Sequence, residues 1–156
     1  MGARSSLWPW LTFMWGVLFG ALNLWWSAGG DFLLDHLGVR IQEQVAEGDT
    51  PLLVVNTIGG LGKIAIGLLA LGTISRWGRR IPRRVSLALL YAGGVLLVLY
   101  GGANWTQMLL VELGVVDVPA SVGAAQVRWY LFLWEPVWML GGVLMVLTAE
   151  GYRRRA

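Results

Sequence analysis

Four runs of apolar residues, each about as long as a bilayer is thick, constrain this chain more than any other feature of it. A helix needs roughly 20 such residues to cross the hydrocarbon core, and the runs lie at about 7–28, 52–75, 85–112 and 126–149. Within lipid every backbone polar group must find its partner inside the protein, which leaves helices as the form these runs can take. The expected fold is all-α, a four-transmembrane-helix bundle in which residues 1–156 form one membrane domain. Composition agrees, with 56% hydrophobic and 13% charged residues, where a soluble domain carries about 25% charged. The chain has no cysteine, which excludes disulfides, thiolate metal sites and dithiol redox chemistry.

The first run is expected to be retained as a helix. It is longer than the roughly 7–15 apolar residues of a signal peptide, and bulky Trp26 sits badly in a cleavage site before Gly29. MGARSS ahead of it fits the myristoylation pattern through Gly2 and Ser6, a short pattern of little use to a polytopic protein.

Orientation follows from arginine. Arg4, the connection carrying Arg76, Arg79, Arg80, Arg83 and Arg84, and the tail carrying Arg153, Arg154 and Arg155 hold nine of the 12 basic residues. The positive-inside rule therefore puts both termini in the cytoplasm and the chain in the plasma membrane. The net charge of +3 records this topology and not a nucleic-acid surface. In the first outer loop Leu33, Leu37, Ile41 and Val45 recur every four residues, so a short amphipathic helix is expected there in spite of Gly38, as a lid or as a passive interfacial strap. His36 in the same loop has too few neighbouring ligands for a metal site, and no cofactor is expected.

Small and polar residues mark the packing faces. Gly16, Gly20, Asn23 and Ser27 share one face of the first span, and Asn56, Gly60, Lys63 and Gly67 share one face of the second. Lys63 stands roughly 17 Å from either end of its span, near the midplane, too deep for its stem to reach water. Tyr100, Asn104 and Gln107 align on the third span, and Arg128 and Glu135, seven positions apart, on the fourth. Glu135 is followed by Pro136, which removes an amide donor and is expected to kink the helix and free the Phe132 carbonyl. Of the tryptophans, Trp8, Trp10 and Trp77 are expected at the inner interface and Trp25, Trp26, Trp105 and Trp129 at the outer one, while Trp134 and Trp138 flank Glu135.

These polar side chains gather towards the outer leaflet, with few in the other half. An ionisable group at membrane depth costs at least about 2.5–3.5 kcal/mol and is by default a functional-site hypothesis. The expected site is an outer-leaflet cavity, opening outward or laterally, lined by Asn23, Asn56, Lys63, Tyr100, Asn104, Gln107, Arg128, Trp134, Glu135 and Trp138. Glu135 and Lys63 are the candidates for any catalysis, which the sequence leaves open. The competing reading is a salt bridge between them that locks helices together without chemistry. GGLGK at Gly59–Lys63 has the wrong spacing for a phosphate loop and lies within a span.

At ALNLWWSAGG, LYGGANW and RWYLFLWEPVWMLGG the chain resembles a family of small, uncharacterised four-helix membrane proteins of high-GC Gram-positive bacteria. The resemblance implies a bacterial four-helix membrane protein and no substrate. A histidine often stands in that family where this chain has Asn23, a departure that weakens proton transfer at this position. The leading expectation is a protein that binds or acts on a lipid, isoprenoid or other amphipathic molecule. The alternatives are a non-catalytic subunit joined to a membrane protein partner or to further copies of itself, and a small proton-coupled exporter.

Overall fold

The computed structural model describes residues 4–155; Gly2, on which the myristoylation pattern depends, lies outside them. Among the described residues there are helices and turns but no strand. Four segments, Ser6–Ser27, Thr50–Gly72, Arg83–Glu112 and Ala124–Arg153, are long and apolar enough to cross a membrane. The helices are α1 (Arg4–Ser27), α2 (Val39–Ala46), α3 (Thr50–Gly72), α4 (Arg83–Glu112), α5 (Val127–Trp129) and α6 (Glu135–Arg153). A π-helical turn, Tyr130–Trp134, joins α5 to α6, so the fourth span is one rod in three sections.

Local chemistry sets the ends. The Asp49 carboxylate accepts from the Leu52 amide at 3.1 Å and Pro51 fills the first turn of α3, a capped start that needs no further partner. Gly29 and Gly114 follow α1 and α4 in the left-handed region, where a side chain is disfavoured and a helix readily stops.

Two close helix pairs make up the bundle, α1 with α3 and α4 with α6. In the first, a Cβ on Gly20 would lie 2.6 Å from the Gly60 carbonyl oxygen, and one on Gly60 would lie 2.9 Å from that of Gly20. In the second, Gly94 and Gly142 face one another in the same reciprocal way, at 2.7 and 2.5 Å. Backbones approach this closely only where side chains are absent, and in lipid such packing replaces the hydrophobic drive that water would supply. The glycine faces expected on the first two spans thus pack against each other.

The pairs meet mainly through α1 and α6. There Trp15 Nε1 donates to the Val137 carbonyl at 2.9 Å and the Thr12 and Thr148 hydroxyls are 2.8 Å apart. Thr12 and Thr148 are fully buried, so the half of the bundle on the arginine side is less devoid of polar contacts than the sequence suggests; threonines escape notice because each can also bond its own helix, as Thr12 does to Trp8. Many of the exposed side chains along the spans are apolar, among them Leu18, Val55, Ile58, Leu96 and Phe132.

The loop 28–49 folds over one end of the bundle. Gly38 splits the expected amphipathic helix: a 3-10 turn, Leu34–His36, precedes it and α2 begins after it. Gly38 is hemmed in, since a Cβ there would lie 2.7 Å from the Ser121 carbonyl oxygen. The first amides of α2, on Val39 and Arg40, donate to the carbonyls of Val122 and Ser121 at 3.2 Å. The second loop thus caps the helix of the first.

The seam geometry leads to a paired expectation. Gly142→Ala should lose about 1–3 kcal/mol of stability through forced separation of α4 and α6. Gly62→Ala, with nothing within 4 Å of the new methyl group, should change it by less than about 0.5 kcal/mol. Equilibrium unfolding of both variants in bicelles titrated with dodecyl sulfate checks this.

Candidate functional site

The sequence around Glu135 dictates an interrupted helix. Pro136 has no amide hydrogen, so the carbonyls one turn earlier lose a donor. The chain responds with the π-helical turn: the Glu135 amide bonds back five residues to the Tyr130 carbonyl. The Leu131 carbonyl then has neither the Glu135 amide nor a donor at position 136, and the Trp105 indole of α4 fills the gap at 3.0 Å. The expected disturbance at Pro136 therefore takes the form of a wide turn, and the carbonyl that turns to a side chain is that of Leu131, one residue before the expected Phe132, because the π turn moves the unmet acceptor back by one.

This turn also undoes an expected alignment. Seven residues of uninterrupted α-helix would keep Arg128 and Glu135 on one face, but the extra residue of the π turn rotates them apart. Glu135 is 3% exposed, whereas the Arg128 side chain is 76% exposed and pairs with Glu112 at 2.8 Å. Arg128 does not line the cavity.

Glu135 borders two spaces. The larger, about 180 Å3, is walled by Phe19, Asn23 and Trp26 of α1, Leu52 and Asn56 of α3, Tyr100 of α4, and Tyr130, Trp134 and Trp138 of the fourth span. Leu34, Leu37, Ile41 and Val45 from the covering loop form its roof. The second, about 170 Å3, runs towards the other loop past Tyr100, Asn104, Gln107 and Tyr130. Oε2 of Glu135 is buried and has no hydrogen-bond partner among the described residues, and the side chain of Asn104 is the polar neighbour that interacts with the carboxyl group.

Lys63 is not the partner of Glu135. Its ammonium donates to Asn23 Oδ1 at 3.0 Å and to the Gly59 carbonyl at 3.4 Å. It also stands over the rings of Trp138, at 4.6 Å, and Phe19, at 4.8 Å, so it is compensated by an amide and by π-faces. Ion pairs among the described residues include Arg128 with Glu112 and Glu150 with Arg153 and Arg154, and His36 Nδ1 lies 2.7 Å from an Asp35 carboxylate oxygen. Lys63 borders a separate groove of about 320 Å3 between α3 and α4, and Trp138 lines that groove as well as the Glu135 cavity.

Asn23 serves both cavity and fold. Its amide donates to Asn56 Oδ1, and Asn56 Nδ2 returns bonds to the Asn23 carbonyl at 2.8 Å and Ser27 Oγ at 3.1 Å. The network closes the α1–α3 seam and aims Asn23 Oδ1 at Lys63.

Three indole and phenol groups tie the roof down. Trp26 Nε1 donates to the Phe32 carbonyl and Trp134 Nε1 to that of His36, both at 2.8 Å, while Tyr130 Oη accepts from the Gly38 amide at 3.0 Å. Trp26, expected in the outer aromatic belt, is 5% exposed and packs edge-on against Trp134 at 5.7 Å. Sequence reasoning missed Trp26, Phe19 and Tyr130 as lining residues. Period-3.6 spacing from Phe19 through Asn23 to Trp26 was the available signal, obscured because adjacent Trp25 does face outward.

Beside the cavity an apolar groove of about 440 Å3 runs between α1 and the fourth span, past Leu11, Leu18, Leu22, Leu133, Val137, Leu140 and Leu144. Phe19 and Trp134 belong to both spaces.

If Glu135 is held for a purpose other than stability, Glu135→Leu should unfold at higher denaturant, gaining about 1–3 kcal/mol, because an unsatisfied buried polar group is removed. Trp105→Phe, which strands the Leu131 carbonyl, should lose a similar amount, about 1–3 kcal/mol. A large loss for Glu135→Leu in bicelle unfolding would identify the carboxyl group as a structural support.

Comparison with known sequences gives one family: the profile of a family described as a protein of unknown function (DUF3995) matches residues 16–145, a span that includes α2, α3, α4 and the interrupted helix around Glu135. No curated protein and no solved structure matches.

Proposed function

The chain belongs to the DUF3995 family, of unknown function, and we propose that it binds an amphipathic molecule drawn from the bilayer. The polar head lies beside Glu135 under the loop roof, and the apolar part lies in the groove between α1 and the fourth span. The observation that carries this reading is the shared wall. Phe19 and Trp134 border both a cavity containing a buried, unpartnered carboxyl oxygen and a groove lined by leucines and valine.

Ligand sites combine an apolar enclosure of about 300–1,000 Å3 with a few placed polar groups, and the two spaces together supply both. An intramembrane carboxyl group without a protein partner is the kind of group a ligand satisfies. The groove lies along the flank of the bundle, so a lipid-borne molecule enters without crossing water. The roof, held by single bonds from Trp26, Trp134 and Tyr130, separates the head site from the aqueous phase.

The arginine distribution orients this site. With Arg76, Arg79, Arg80, Arg83 and Arg84 on the cytoplasmic side of the plasma membrane, both chain ends are cytoplasmic and the roofed cavity belongs to the outer leaflet. Because the natural chain lacks cysteine, single cysteines report this directly. In intact cells Ser121→Cys should react with a membrane-impermeant maleimide and Arg155→Cys should not; the opposite pattern inverts the assignment.

Protein extracted in polymer discs should carry a tightly held amphiphile detectable by native mass spectrometry with lipid identification. Leu133→Trp, which fills the groove, should lower its occupancy by about tenfold or more, equivalent to roughly 1.4 kcal/mol. Equal occupancy in the variant, or no retained molecule in the natural protein, contradicts the proposal.

A further inference from the structure

The amphiphile-binding reading says nothing of the head group's charge, and the structure goes further. We infer that the cavity is built for a cationic head, an ammonium or substituted ammonium at the end of an apolar chain. The inference rests on the binding reading and adds the chemical class of its ligand.

The first ground is an uncompensated carboxyl group. Glu135 is buried and its Oε2 has no hydrogen-bond partner among the described residues. A carboxylate taken out of water needs a counter-charge or several donors, and Asn104 supplies one neutral amide. The nearby cations are committed elsewhere, Lys63 to Asn23 and Gly59 and Arg128 to Glu112.

The second ground is the wall. Phe19, Trp134 and Trp26 form a contiguous series, with centroids 6.4 Å apart for the stacked first pair and 5.7 Å for the edge-on second. Trp138 continues it to Phe19 at 5.0 Å and to Tyr100 at 5.5 Å. Aromatic faces attract cations most strongly where water is excluded, and a ring-lined enclosure is a recurring receptor for substituted ammonium groups. The same rings already hold one cation, since the Lys63 ammonium stands over Phe19 and Trp138.

Other head groups fit less well. A phosphate or carboxylate would bring a second negative charge to Glu135 in a medium that screens it weakly. A hydroxyl would satisfy one oxygen and leave the rings without a charge to attract. A cation answers both features at once.

Four probes with the same twelve-carbon chain separate the classes: dodecylammonium, dodecyltrimethylammonium, dodecanol and dodecyl phosphate. Binding to the full chain in discs of zwitterionic phosphatidylcholine is read from tryptophan fluorescence and native mass spectrometry. Both ammonium probes should bind the natural protein about tenfold tighter than dodecanol, and dodecyl phosphate should bind weakest. In Glu135→Gln the ratio of ammonium to alcohol affinity should fall to near one. Dodecanol or dodecyl phosphate binding as tightly as the cations overturns the head-group inference while leaving amphiphile binding intact, as does an ammonium preference that survives Glu135→Gln. If none of the four binds saturably to the natural protein, the binding reading falls and this inference with it. The ratio in the natural protein decides the matter even where the glutamine variant does not fold.

Discussion

Reciprocal glycine contacts are the constraint on which the remaining architecture depends. Where Gly20 meets Gly60 and Gly94 meets Gly142, backbone approaches backbone without an intervening side chain. Two helix pairs closed this tightly leave no room for side chains along their seams. Their mutual surface then has to be filled by whatever side chains point inward, and at the loop end those are mostly large aromatic rings. Rings meeting edge to face do not fill space as leucines would. The cavity is a consequence of joining two tight pairs through bulky, directional side chains.

Within that frame Pro136 determines where the carboxyl group goes. Had the fourth span been a regular α-helix, Glu135 would share a face with Arg128, whose side chain points into solvent. The π turn shifts the register so that the acid turns inward, and the released Leu131 carbonyl is bonded by the Trp105 indole. A single missing amide hydrogen therefore has two effects: it changes which face of the helix is buried, and it ties α4 to the irregular segment. The second offsets part of the cost of the first, since a buried carbonyl left bare would be destabilising by about 1–3 kcal/mol.

The four spans and the seam between the first two were legible in the sequence because both depend on local quantities, the length of an apolar run and the spacing of small residues on a face. Asn23, Asn56, Tyr100, Asn104, Gln107, Trp134, Glu135 and Trp138 were placed together by the same arithmetic, and each borders one of the spaces around Glu135. Arg128 was misplaced because periodicity assumes a regular helix, and a π turn is not encoded by any residue pattern as simple as spacing. The pairing of Lys63 with Glu135 was the natural electrostatic guess from two opposite charges at similar depth. What distance along the helix could not convey was that Asn23 offers Lys63 an acceptor at 3.0 Å and that its ammonium stands over the rings of Phe19 and Trp138. Trp26 was read as a belt residue because tryptophan at a span end is common there, and only the fold of the covering loop shows its indole bonded inward to Phe32.

The separation of the two charges bears on what the site is for. Opposite charges in a medium of low dielectric attract strongly, and a direct contact between Lys63 and Glu135 would be the most economical arrangement if stability alone mattered. Such a contact would also draw α3 and the fourth span together and fill the space in which Glu135 lies. Instead the ammonium is held by an amide oxygen, a backbone carbonyl and the rings of Phe19 and Trp138. That arrangement leaves Glu135 Oε2 unbonded among the described residues, a cost of about 1–3 kcal/mol or more for a buried acceptor. On the proposed reading, an interior that satisfies one charge with neutral groups and leaves its counterpart unsatisfied beside a cavity suits a third participant, and the groove that shares Phe19 and Trp134 with that cavity would be the route by which one held in the lipid reaches it.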